Sequence, residues 1–166
     1  MVFQPIGVLR TPYKEISDMP IQPAGARGVF GHIELNPELV DGLTDLDGFS
    51  HVIVLYHFHQ ITDVRLHVKP FLDDSSHGVF ATRAPCRPNP IGLSVLRVHK
   101  VVGNQIELEG VDMLDETPLL DIKPYVIDFD KPSGQVRSGW LQDPVAPVKE
   151  ARSDSRFDPS LQEGEG

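Results

Sequence analysis

The chain reads as a mainly β protein, a barrel or sandwich, on three observations. Apolar segments of strand length bounded by Gly and Pro recur along it, turn signals are frequent, and a helical pattern is plausible in only one short place. A doubly wound parallel fold is disfavoured because no G-x-G-x-x-G follows a strand; G-A-R-G-V-F-G at 25–31 has the wrong spacing.

Taken in order, Ile6–Leu9 and Val29–Leu35 are short apolar segments flanked by Gly and Pro. Pro37–Leu43 is the helix candidate, with Asn36 as N-cap and Pro37 at the first helical position. His51–Phe58 is a nearly continuous apolar run of strand length. Gly103-Asn104 is a two-residue hairpin signal joining Leu93–Val102 to Gln105–Glu109, where Ile106 and Leu108 alternate with polar neighbours. After Pro132 the pattern weakens: Ser133–Gly139 is polar, Trp140 and Leu141 can dock on the body, and Ala151–Gly166 has mixed charges and few apolar groups. This divides the chain into a domain at 1–132 and an extension at 133–166, expected to be mobile from about residue 151.

Composition sets bounds on function. A chain of 166 residues fits one domain with a proper core, and its single cysteine excludes an internal disulfide framework and suits a reducing compartment. With no apolar run of about 18 residues and no basic segment ahead of an apolar one, a soluble, unexported, cytoplasmic protein is expected, with no membrane partner. The formal net charge of −9 argues against broad binding to phosphate backbones. A local basic patch remains compatible with it, since Arg65, Lys69, Arg83, Arg87 and Arg97 lie apart from the acidic segments at 41–47 and 73–74.

Two strings carry the chemistry. V-F-A-T-R-A-P-C-R-P-N-P-I-G-L-S at 79–94 sets two arginines and three prolines between apolar segments. Each proline fixes one dihedral and biases the residue before it toward extended backbone, so polar groups here are held in a preset shape, as a site for a compact polar ligand requires, against the plainer reading of a proline-rich surface turn with two solvated arginines. L-D-E-T-P-L-L-D-I-K-P-Y at 114–125 gathers Asp115, Glu116, Asp121 and Lys123 around apolar residues and two further prolines.

With F-Q-P-I-G-V-L-R-T-P-Y-K near the start, I-Q-P-A-G at 21–25 and F-S-H-V-I-V-L-Y-H-F-H-Q at 49–60, these strings closely resemble the signature of the TsaA-like family, also called TrmO. The resemblance spans roughly Phe3 to Pro124. It implies a single antiparallel β-barrel with one or two short helices. It also implies a methyltransferase that uses S-adenosyl-L-methionine on the exocyclic nitrogen of threonylcarbamoyladenosine beside the tRNA anticodon, working as a homodimer with the site near the interface. In this setting the chain resembles the catalytic barrel with a tail.

Residue by residue, the resemblance assigns cofactor contacts to Gln22, Pro23, Ala24, His59, Gln60, Arg83, Leu93, Asp115, Glu116, Thr117 and Pro118. Glu116 stands where the family pattern has glycine, a departure that bears on that loop's backbone and charge. The donor is already activated, so alignment of donor and acceptor is the main task, with a smaller one of removing a proton from a poorly nucleophilic nitrogen. Asp121 and Lys123 are the candidates for that catalytic role, against a structural pairing of two residues that share a strand face. Arg87 and Asn89 are candidates for substrate phosphate or the threonyl carboxylate, against bonding loop carbonyls.

His51, His57 and His59 share strand parity, but no cysteine or carboxylate at ligand-like spacing accompanies them, so no metal is expected. Cys86, between prolines, reads as a packing residue. Two other functions stay open from the residues: a methyltransferase for a small-molecule acceptor, and a non-enzymatic module that binds the cofactor.

Overall fold

The computed structural model describes residues 2–17, 19–142, 147 and 149–158. Its centre is a closed six-stranded barrel in the order β1 (Gly7–Arg10), β2 (Phe30–Leu35), β7 (Gln105–Glu109), β6 (Ile91–Val102), β3 (His51–His57) and β8 (Thr117–Pro124). Every neighbouring pair is antiparallel. Two further strands, β4 (His67–Val68) and β5 (His77–Gly78), form a separate ribbon. Closure leaves the main sheet without an open edge.

Alternation explains why these segments close. In β3, Val52, Val54 and Tyr56 point inward while Ile53 and Leu55 lie on the outer wall, so the apolar run hides a period of two. Ile106 and Leu108 of β7 face the same core, packed with Leu9, Ile33, Leu96, Val111 and Leu119. The hairpin turns at Gly103-Asn104 as the sequence indicates, Gly103 taking a φ of +58° and Val102 pairing with Gln105. The twelve-residue β6 serves both β3 and β7, and its register with β7 shifts between Val98 and Lys100. Such a bulge bends a long strand around a barrel corner.

The short helix expected at Pro37–Leu43 is present with those limits, as a 3-10 helix with Asn36 at the N-cap position and Pro37 opening it, although the Asn36 side chain makes no capping bond. Its amide instead donates to Pro5 O at 3.3 Å and its backbone N–H to Ile6 O, so the residue ties the N-terminal strand rather than the helix. Among the described residues the one α-helix, α1, is a single turn at Ile127–Asp130. Residues 151–158, in the segment expected to be mobile from about residue 151, make contacts with the body. Arg152 bridges Pro20, Ser153 is buried and bonded to Met19, and Phe157 is buried in a second apolar cluster with Val68, Ala84 and Cys86. Phe157 meets Phe71 edge-on at 5.2 Å between ring centroids. The remainder of that expectation, at 159–166, lies outside the described residues.

Candidate functional site

β3 ends, and β6 and β8 begin, at one end of the barrel because both are antiparallel to β3. A cavity of about 540 Å³ opens there. Tyr56 and Phe58 line it from the end of β3, Gly92 and Leu93 from the start of β6, and Asp112 and Met113 from the approach to β8. Thr117 adds to the wall from the start of β8, and loops add the rest, including Gln22, His59, Gln60, Arg83 and Arg87. The extension closes one side with Trp140, Leu141 and Phe157. Trp140 is fixed by stacking on His77, 4.6 Å between centroids, and by donating from Nε1 to Ala81 O.

Of the residues expected to contact cofactor, Gln22, His59, Gln60, Arg83, Leu93 and Thr117 therefore converge on one cavity from five separate segments. Pro23 and Ala24 continue the loop from Gln22 in a short 3-10 turn, and Asp115, Glu116 and Pro118 flank Thr117, but these five do not line the wall. Arg83 donates to Gln22 Oε1 at 3.0 Å, joining the two loops across the mouth. Burial, with the neighbouring His57, holds His59 below the usual histidine range, which favours a neutral imidazole at neutral pH.

Asp115 is committed to structure. Its Oδ1 accepts from the Thr11 backbone N–H at 3.0 Å and its Oδ2 pairs with Lys14. Burial alone would raise its pKa, but the Lys14 ammonium and the Thr11 amide outweigh that and hold the carboxyl below its ordinary value. Glu116 adopts a φ of +61°, the left-handed region that glycine occupies without strain. Its side chain is 72% exposed and bonds Arg10 Nη1 at 3.0 Å; Arg10 also holds Glu34. The family pattern's glycine thus matches the backbone seen here. Glu116→Gly is expected to fold normally and gain about 0.5–1 kcal/mol from relief of that strain, less the small worth of an exposed ion pair. Chemical denaturation showing a loss above about 1 kcal/mol would mean that the Arg10 pair matters more than the backbone.

Asp121 and Lys123 lie away from the cavity: Lys123 Nζ pairs with Asp121 Oδ2 at 2.6 Å on the outside of β8, and Asp121 Oδ1 accepts from the Ile122 N–H. This geometry favours the structural side of the sequence reading over the catalytic one. Arg87 lines the cavity, but its guanidinium also donates to the carbonyls of Thr82 and Ala84, at 3.3 and 3.4 Å. Asn89 is not in the wall. Of the other basic residues, Arg65 bonds Asp63, Lys69 pairs with Asp74 and Arg97 with Glu109, so the charge near the cavity narrows to Arg83 and Arg87. Burial pushes the Cys86 thiol up to about 11, as suits a packing residue.

Sequence reasoning missed the most unusual polar group present. Asp112 is 8% exposed, and among the described residues it is the only carboxylate in the cavity wall. Ser94 Oγ donates to its Oδ1 at 2.7 Å, and the Tyr56 hydroxyl lies 3.2 Å from Ser94 Oγ. With the serine proton given to the carboxylate, the tyrosine donates in turn. Burial pushes the Asp112 carboxyl up to about 7, against the lowering effects of Ser94 and Arg83. The one clue in sequence is an acid isolated between Val111 and Met113, both buried.

The fold and cavity define a small closed antiparallel barrel with a ligand-sized, mostly apolar site at one end, closed over by loops. Residues 8–131 match the tRNA-methyltransferase O N-terminal domain, and the chain belongs to that family. It is 49% identical over 155 residues to a probable S-adenosyl-L-methionine-binding protein of Pyrococcus abyssi, covering 93% of this chain and 84% of that one. It is 39% identical over 141 residues to a mouse tRNA (adenine(37)-N6)-methyltransferase, covering 80% of this chain and 32% of that one. The crystal structure of TrmO from Pseudomonas aeruginosa superposes with a TM-score of 0.71 at 39% identity, over 84% of this chain and 62% of that one. The chain thus spans about three fifths of that solved TrmO chain and about a third of the mouse enzyme.

Proposed function

We propose that the protein is an S-adenosyl-L-methionine-dependent tRNA methyltransferase acting on the exocyclic nitrogen of the adenosine beside the anticodon, and that its acceptor carries the threonylcarbamoyl group. The observation that carries this is the convergence of Gln22, His59, Gln60, Arg83, Leu93 and Thr117 on one cavity, in a chain of the TrmO family. The wall fits a nucleoside joined to an amino acid: Phe58, Ile61 and Leu93 offer apolar surface to a base, and Arg83 offers a guanidinium to a carboxylate. When bound, the cofactor supplies a methyl carbon on a sulfonium. The chain's task is then to hold that carbon and the acceptor nitrogen in line and to exclude water.

Arg87, in the cavity wall, is suited to the threonyl carboxylate, and recognition there needs few phosphate contacts, in keeping with a net charge of −9. A second copy of the chain is the natural cover for the outer face of β6, where Ile91, Leu93 and Val95 are exposed in a row and Leu93 also reaches the cavity. The reading is therefore of a homodimer whose partner completes the mouth. The test incubates purified protein, methyl-labelled cofactor and tRNA with or without the threonylcarbamoyl group. Labelling of the modified tRNA alone supports the reading. Equal labelling of both refutes the finer substrate, and labelling of neither while a small metabolite is methylated favours a small-molecule acceptor.

Arg83→Ala should weaken cofactor binding by about 1.5–3 kcal/mol, the scale of a charge-assisted bond, with the fold unchanged. Titration calorimetry returning wild-type affinity in a folded variant would reject the contact. Arg87→Ala, by contrast, should reduce methylation more than cofactor affinity.

A further inference from the structure

We propose that Asp112 is the proton acceptor of the methyl transfer, held for that role by the Tyr56–Ser94 hydrogen-bonded chain. The inference rests on the methyltransferase reading above. As the acceptor nitrogen's electron pair forms the new N–C bond, the S–C bond breaks and its pair stays on sulfur. The nitrogen must then lose its hydrogen, which passes as a proton to a carboxylate oxygen of Asp112 and from there to solvent before the next turnover.

Position selects Asp112 among the acids. Asp115 is tied to Thr11 and Lys14, Glu116 turns outward to Arg10, and Asp121 is paired with Lys123 on the barrel's outer wall. Asp112 sits in the cavity wall with one oxygen fixed by Ser94, and no salt bridge involves it among the described residues. A carboxylate kept in so apolar a place is costly unless it works there. The groups that face it electrostatically are Tyr13 after β1, Tyr56 on β3, Ser94 on β6 and Arg83 in the proline-rich loop. Burial raises both tyrosines above their usual range, so neither competes for the proton near neutrality. Its carboxyl, pushed up to about 7, lies where a general base is most effective at neutral pH. His59 is the remaining rival in the wall.

Asp112→Asn keeps the shape and the acceptor for Ser94 but cannot take a proton. In single turnover, it should lower the methylation rate about a hundredfold or more while leaving the cofactor Kd within about threefold. The wild-type rate should rise with pH through a limb near neutrality that the Asn variant lacks. Ser94→Ala removes a bond that favours the charged form, so it should shift the limb to higher pH and recover rate in alkali. Free of turnover, carbon-13 NMR of aspartate carboxyls should show one group titrating near pH 7, absent in Asp112→Asn and moved up in Ser94→Ala. A wild-type rate in the Asn variant, a limb that survives in it but vanishes in His59→Gln, or a loss confined to cofactor affinity would each overturn the assignment. A wild-type protein that methylates no tRNA would instead bring down the parent reading, and this step with it.

Discussion

Gly92→Ala is expected to destabilise the protein by about 2–3 kcal/mol, and to do so through the site. Gly92 pairs with Tyr56 across β3 and β6, and the tyrosine ring lies directly over the glycine. A Cβ built there meets Cε2, Cζ and Cδ2 of that ring closer than any real contact. The ring cannot retreat freely. It is buried in the barrel core, meets Phe58 edge-on at 5.4 Å, and its hydroxyl reaches Ser94. Relief therefore requires either separating the two strands or turning Tyr56 out of its place, and the second breaks the chain that ends on Asp112. Gly42→Ala and Gly48→Ala are the controls, since a Cβ at either meets nothing within 4 Å. Urea denaturation should place both controls near wild type and Gly92→Ala well below. A Gly92→Ala midpoint equal to the controls would show that the ring has room that the packing denies it.

How far the sequence reveals this arrangement depends on which physical signal each part carries. Local signals were readable: the alternation in β7, the Gly103-Asn104 turn and the apolar run of β3 lie within a residue or two of their observed limits. Closure and strand order were not, since β1 pairing with β8 joins Leu9 to Thr117 and no local pattern encodes so distant a partner. The short helix at Pro37–Leu43 was readable as well, from Asn36 and Pro37 at its start, whereas its 3-10 form was not. A segment as short as Pro37–Leu43, with Gly42 inside it, settles into 3-10 geometry, and Asn36 finds a better use in tying down the first strand.

The site divides in the same way. Residues in the proline-stiffened strings were legible because unusual composition marks them, and six of the eleven expected cofactor contacts do share the cavity. Asp112 is not legible because burial is not visible in V-D-M, whereas Asp121 and Lys123, prominent in the sequence as charged residues, pair with each other on the outside of β8. Phe157 was lost in a polar tail, where one aromatic ring anchors a segment whose average composition suggests solvent.

Asp112→Asn should raise stability at alkaline pH while lowering the methylation rate that the acid serves. The folded-state pKa, about 7, stands above the ordinary 3.8, so between these values the native state holds a proton that the unfolded chain releases. Wild-type stability from this group is therefore fully present below pH 4 and is lost as pH rises through 7. An asparagine has no proton to lose, and its oxygen still accepts from Ser94. The stability difference, Asn minus wild type, should thus be near zero at pH 4, grow through pH 5–7 and level off above pH 8 at something on the order of 4 kcal/mol. Differencing the two proteins removes the effects of the other acids, which with a net charge of −9 tilt both curves alike. Paired urea titrations at pH 5 and pH 8 measure it directly. A gap that is the same at both pH values would place the carboxyl at its ordinary pKa, and Asp112 would then be a solvated acid rather than a buried base held ready.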